Sequence, residues 1–189
     1  MKWSKSFIFT RRNVSQDVEN LSHKLLLKGG FIRSVASGVY IYLPLAWRVL
    51  NKIMDIVRDE MDKIGGQEIQ MPVLTPSSLW KSSGRWKEYG DDMFKIKDRK
   101  EQDYALSPTH EEVIAYLATN SIRSYKNLPQ IWYQIQTKFR DEPRPRGGLL
   151  RMRQFIMKDS YSLDVDMEGL DNSYNLHRKL IKIYFQEQG

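Results

Sequence analysis

The sequence predicts an α+β domain, a largely antiparallel sheet with flanking helices. Three observations lead there. The strand-like stretches are joined mainly by hairpin turns rather than by crossovers. The helical stretches repeat apolar residues at intervals of three and four. Neither a P-loop nor the glycine fingerprint of a dinucleotide-binding fold is present. No repeat, low-complexity tract or Gly/Ser linker divides the 189 residues, so they read as one domain.

The first helix is expected over residues 15–28, with Val18, Leu21, Leu25 and Leu26 facing inward and Gly29-Gly30 ending it. An extended segment follows at 39–43. Pro44 then suits the first turn of a long helix over 44–64. Its apolar face is Trp47, Leu50, Met54, Val57, Met61 and Ile64, and Gly65-Gly66 closes it. A short strand at 68–71 runs into Pro72. Residues 77–90 read as irregular or as a short helix with a loop. A hairpin is expected from 93–96 and 104–106 across the charged turn 97–102. Pro108-Thr109 precede a helix with Val113, Ile114, Leu117 and Ala118 as its stripe. Strands are expected at 131–139 and 149–157, separated by a turn carrying Pro143, Pro145, Gly147 and Gly148. The last 20 residues read as helix, with Leu170, Tyr174, Leu176, Leu180 and Ile183 toward the core.

Composition narrows the function classes. Thirty basic residues against 23 acidic ones give +7, which is compatible with a polyanionic partner but weak as an argument by itself. No apolar run approaches the roughly 18–20 residues of a membrane span, and the N-terminal apolar stretch is too short for a signal peptide. The absence of cysteine excludes disulfides and thiolate zinc sites and fits a reducing compartment. His23, His110 and His177 are far apart, without ligand spacing.

The densest chemistry lies in residues 137–161, TKFRDEPRPRGGLLRMRQFIMKDSY. On strand alternation, Arg140 and Glu142 share a face of the first strand if it extends that far. Arg151, Arg153 and Phe155 share a face of the returning strand. Guanidinium groups, a carboxylate and a ring on one surface suit a nucleotide: phosphate for the forked donors, an exocyclic amine for the carboxylate, a stacking face for the base. The same pattern suits a basic, solvated hairpin with Phe155 in a core. Arg144 and Arg146 in the turn are expected to face solvent or a polyanion, and Lys158-Asp159 reads as a local ion pair.

Residues 107–112, SPTHEE, admit two accounts. Thr109 with Glu112 is a capping box at a helix start. Glu111 has no apolar role and is able to accept from a ligand amine. His110 reads as solvent-facing or a cap partner.

The order "SHKLLLKGGFIRSVASGVYIYLPLAWRVL", "GGQEIQMPVL", "SPTHEE", "YQIQTKFRDEPRPRGGLLRMRQFIMKDSYS" resembles the prokaryote-type prolyl-tRNA synthetases, class II aminoacyl-tRNA synthetases, across essentially all 189 residues. The resemblance implies part of a class II catalytic domain. Residues 47–72 would be motif 1, the dimer-forming element, with Pro72 as its proline, and residues 137–161 motif 2. It implies that Arg140 holds the α-phosphate and the amino-acid carboxylate, that Glu142 reads the adenine amino group, that Arg151 reaches the γ-phosphate and that Phe155 stacks on adenine. Thr109 and Glu111 would hold the proline imino nitrogen, with Glu112 keeping the cap. Arg144 and Arg146 would meet the acceptor end of the RNA. Gln154 stands where glutamate is common, and Pro143 and Gly147-Gly148 vary a tolerant loop.

The implied activity is proline–tRNA ligation with ATP and Mg2+, on proline and tRNA(Pro), by a cytoplasmic homodimer. No protein nucleophile and no protein metal ligand is assigned. The third class II motif, the editing insertion and the anticodon-binding domain are not among these residues, so the chain by itself is expected to be inactive. Two rival readings are a non-catalytic nucleotide- or RNA-binding module and a dimerisation fragment of such an enzyme.

Overall fold

A computed structural model describes residues 2–187, with side chains through residue 182. The expected α+β class holds, but the strands form three small sheets rather than one.

Helix α1 (Leu21–Lys28) is only the second half of the helix expected over 15–28. Asn20 Oδ1 accepts from the His23 N–H at 3.1 Å, so the cap falls there. Leu21 and Leu25 are exposed; Leu27 is buried instead, with Val18 and Leu26 packed beside it. Strands β1 (Ile32–Ala36) and β2 (Val39–Tyr42) pair as an antiparallel hairpin, so the segment expected at 39–43 has a partner that pattern reading did not find. Helix α2 (Pro44–Lys63) starts on its proline, whose fixed φ and missing N–H suit a first turn. Met61 is its fully buried apolar residue, flanked by Val57 and Ile64, while Trp47 stands 46% exposed.

The short strand after α2 is β3 (Gln67–Glu68), parallel to β7 (Gln130–Phe139); β7 pairs antiparallel with β8 (Gln154–Leu163) over ten residues. Ile69 N still donates to Tyr133 O at 2.8 Å, and beyond it side chains of β7 take over the backbone groups. Gln134 accepts from Met71 N at 3.1 Å, and Gln136 donates to Met71 O at 3.1 Å. In the third sheet the expected hairpin, β5 (Lys95–Lys97) with β6 (Asp103–Leu106), is extended by β4 (Leu74–Pro76). Helices α3 (Ser77–Ser82) and α4 (Arg85–Glu88) lie within residues 77–90, where either an irregular stretch or a short helix with a loop is expected.

Strand β7 has two unlike faces. Ile131 and Tyr133 pack against Met61 and against Leu180 of α6 (Met167–Glu187), forming the core between sheet and helices. Of the other residues expected inward on α6, Leu170, Tyr174 and Leu176 are exposed, and the Ile183 side chain lies outside the described residues. The opposite face of β7 carries Gln134 and Lys138, both fully buried yet polar. Over it lie residues 69–72 and helix α5 (Glu111–Ser121), with Val113 and Ile114 buried against Met71.

Strand β8 starts five residues later than expected. Gly147 and Gly148 adopt φ of +69° and +66°, and Gly148–Leu150 forms a 3-10 turn, so the polypeptide loops before it pairs. Arg140 and Glu142 therefore lie past the end of β7, and Arg151 and Arg153 precede β8. The strand-face alternation expected for these four does not apply.

Candidate functional site

The site rests on the polar face of β7. Lys138 Nζ donates to Asp159 Oδ2 at 2.9 Å and contacts His110 Nδ1. The same Asp159 oxygen accepts from Tyr161 OH at 2.6 Å and Gln134 Nε2 at 3.1 Å. His110 Nε2 lies 3.1 Å from the Pro72 carbonyl, which fixes Nε2 as the protonated nitrogen and Nδ1 as the acceptor for lysine. Burial, followed by the Lys138 charge, pushes His110 below its ordinary value of 6.5. Burial likewise lowers Lys138, against the opposing pull of Asp159. The expected Lys158–Asp159 pair is not formed, because consecutive strand residues point to opposite faces; Asp159 is committed to Lys138 across the ladder. His110, expected to face solvent or partner a cap, is fully buried and its side chain makes no cap.

This network holds the 107–112 loop in place, and the capping box is absent there. His110, not Thr109, occupies the N-cap position, and its side chain does not cap. Thr109 donates to Glu111 Oε2, which leaves the carboxylate partly exposed at the start of α5. Glu112 turns inward, where its Oε1 accepts from Ser83 Oγ at 3.0 Å and pairs with Arg85 Nη1 at 3.0 Å. A buried carboxylate with cationic and hydroxyl partners nearby binds those rather than reaching back to a cap.

Arg140 joins this loop to β8. Its guanidinium lies 5.4 Å from the Phe155 ring centroid, and Nη2 is 3.4 Å from the Pro108 carbonyl. Backbone pairing continues one step past the strands, from Arg140 N to Arg153 O at 2.9 Å. In the loop beyond, Glu142 Oε2 meets Arg151 Nε at 2.6 Å and Oε1 accepts from Arg144 N at 3.1 Å. The Arg144 amide first, then Arg151, holds the Glu142 carboxyl below its usual range. Arg146 and Arg151 also form a backbone bridge, and both line a cavity of about 780 Å³ with Asp17, His23 and Tyr40. The loop is braced by the β1–β2 turn: Gly38 O accepts from Arg153 N at 2.9 Å. Gly38 has φ +75°, and a Cβ there would meet Pro145 at 2.9 Å.

The structure thus brings together Thr109, Glu111, Arg140 and Phe155. It pairs Glu142 with Arg151 on the adjoining loop and leaves Arg144 and Arg146 exposed at its edge. Sequence reading missed Lys138, Asp159, Tyr161 and Arg85. For Lys138 there was a signal: Gln134, Gln136 and Lys138 alternate along a strand whose other residues include Ile131, Tyr133 and Ile135. That pattern marks a polar face. Arg85 had none, since its partners lie 26 and 27 positions away in the chain.

The chain as a whole is similar to known proteins. The tRNA synthetase class II core domain family (G, H, P, S and T) matches residues 94–189, and the chain belongs to that family. Within it, the chain is 53% identical over its whole length to the proline–tRNA ligase of Thermodesulfovibrio yellowstonii. It is 59% identical over 175 residues, 93% of its length, to that of Syntrophomonas wolfei. It spans about a third of these relatives, 33% and 31% respectively. Among solved structures it resembles Giardia lamblia prolyl-tRNA synthetase in complex with prolyl-adenylate. That match has a TM-score of 0.77 and 26% identity over 83% of this chain and 33% of the other. The RNA binding domain of threonyl-tRNA synthetase from Cryptosporidium parvum matches with a TM-score of 0.74 and 25% identity, over 82% and 40%.

Proposed function

We propose that the protein carrying this chain is a proline–tRNA ligase, and that these residues form the motif 1 and motif 2 part of its catalytic domain. The observation that carries the reading is the meeting of the Thr109–Glu111 loop with Arg140 and Phe155. An acceptor for a cationic amine, a guanidinium and a stacking ring stand together, as joint recognition of an amino acid and a nucleotide requires. In the first step a proline carboxylate oxygen attacks the α-phosphorus of ATP. The bond to the β-phosphate breaks, and pyrophosphate leaves. In the second, the terminal ribose hydroxyl of tRNA(Pro) attacks the prolyl carbonyl and AMP leaves.

Arg140 serves the proline carboxylate and the α-phosphate, and Arg151 the γ-phosphate. These charges are fixed before reaction, which is where electrostatic stabilisation is strongest. Glu142 accepts from the adenine amino group, so its contact with Arg151 is exchanged or shared when the nucleotide arrives. Thr109 and Glu111 receive the imino nitrogen; Arg144 and Arg146 meet acceptor-stem phosphates. Among the described residues no three acidic or histidine side chains cluster as a metal cage. Mg2+ would come with the triphosphate, need only one or two protein carboxylates and neutralise phosphate charge there. The exposed apolar Ile41, Trp47 and Val49, on β2 and the start of α2, support a motif 1 homodimer. Work on tRNA puts the protein in the cytoplasm. No described helix is long and apolar enough to cross a membrane.

The test is proline-dependent ATP–pyrophosphate exchange by this chain beside the protein at its full encoded length. Activity only at full length is expected. Silence in both would favour the non-catalytic binding module.

A further inference from the structure

Arg85 has no part in the reading above, yet it is the most heavily engaged arginine near the site. Its guanidinium carbon lies 5.6 Å from the Trp80 ring and 5.1 Å from the Tyr89 ring. Trp80 is fully buried, and its Nε1 donates to Thr75 Oγ1 at 2.9 Å, so the platform is rigid. Nη1 reaches two carboxylates, Glu112 Oε1 at 3.0 Å and Glu111 Oε2 at 3.2 Å. Glu112 is buried and also bound by Ser83, so it anchors the guanidinium. Glu111 is the exposed partner at the mouth of the site.

We propose that Arg85 is a positioning residue for amino-acid binding: with Thr109 it clamps Oε2 of Glu111 and leaves Oε1 to accept the substrate's imino group. The inference rests on the reading that Glu111 receives that group. An arginine between two rings and two carboxylates is held in one geometry, and charge-assisted donors fix the orientation of an otherwise mobile glutamate. The clamp also sets the charge. Burial works against ionisation of Glu111, but the Thr109 hydrogen bond, then the residue's own backbone N–H and then Arg85 outweigh it, so the carboxyl sits below its ordinary range.

The experiment is proline-dependent pyrophosphate exchange at full encoded length, comparing wild type with Arg85→Met, Arg85→Lys and Glu111→Gln. Arg85→Met should raise the proline KM about tenfold or more while the ATP KM changes by less than about twofold. It should also move the acid limb of kcat/KM for proline to higher pH, because without the guanidinium Glu111 protonates sooner. The other charged groups around Glu111, namely Glu112 on the same guanidinium, His110, Lys138 and Tyr161, are kept in every variant, and loss of the limb in Glu111→Gln assigns it to Glu111 rather than Glu112. Arg85→Lys keeps the charge without the fork and should show a smaller rise with the same selectivity for proline. This variant carries the test if Arg85→Met does not fold. Equal rises in both KM values, or an unmoved acid limb, would overturn the proposal. If Glu111→Gln raises the proline KM and Arg85→Met does not, only the role of Arg85 falls. If Glu111→Gln itself leaves the proline KM unchanged, the underlying reading of Glu111 falls and the clamp with it.

Discussion

Lys138 and Asp159 form an ion pair of 2.9 Å beneath the candidate site, with the lysine side chain fully shielded from solvent. Through His110 and Tyr161 this pair is tied to the loop bearing Thr109 and Glu111. The position of the Thr109–Glu111 loop therefore depends on a charge pair inside the protein, which favours geometry over stability.

Replacing one partner strands the other. Lys138→Met is expected to lower the unfolding free energy by about 3–5 kcal/mol, because Asp159 is left buried without its cation. The double variant Lys138→Met, Asp159→Leu should recover a large part of that loss. Urea denaturation of the four proteins decides it: strict additivity of the single changes would remove the pair from the argument.

His110 makes stability depend on pH with a defined sign. Its folded pKa lies below its ordinary 6.5, so the unfolded chain binds the proton first as the solution is acidified. Stability should fall as pH drops below about 6.5 and level off once the folded pKa is passed. His23 is lowered by burial and adds in the same direction. Urea midpoints for wild type and His110→Gln between neutral and mildly acidic pH should show a shallower slope in the variant. Identical slopes would assign the effect elsewhere.

Arg140→Ala is expected to abolish proline activation at full encoded length, by at least about 100-fold in exchange rate, if the guanidinium stabilises phosphate charge. A near-normal rate would sink the assignment. Loss of the Phe155 contact alone would cost far less, about 0.5–2 kcal/mol for a cation–π pair.

If Glu142 reads the base and Phe155 stacks on it, as proposed, Glu142→Ala and Phe155→Ala should weaken ATP more than proline. Steady-state KM values for both substrates provide the check. A change confined to proline would contradict the nucleotide reading of this loop.

Arg144 and Arg146 are exposed at the loop edge. Their joint replacement by alanine should leave pyrophosphate exchange intact, raise the KM for tRNA and flatten the salt dependence of aminoacylation, as lost phosphate contacts do. An unchanged salt slope would put the RNA elsewhere.

The local signals in the chain were strong where they concerned the backbone. Pro44 and the Gly65-Gly66 pair bounded α2 correctly, and the charged turn after β5 marked a true hairpin. The motif residues Thr109, Glu111, Arg140 and Phe155 were named from the sequence and are neighbours in space. Glu112 went the other way. Its spacing from Thr109 fits a capping box, but spacing does not reveal that Ser83 and Arg85 offer a buried carboxylate better partners.

The sequence by itself determined the fold class and the bounds of α2 and β7, because periodicity and turn chemistry act within a few residues of one another, and it carried the motif residues through their resemblance to a family. Tertiary structure alone decided which side of β7 became a buried polar floor, where β8 begins and how Arg85 is directed at Glu111. Those outcomes depend on contacts between residues far apart in the chain. In a desolvated interior every polar group takes the best partner within reach, whatever its distance in sequence.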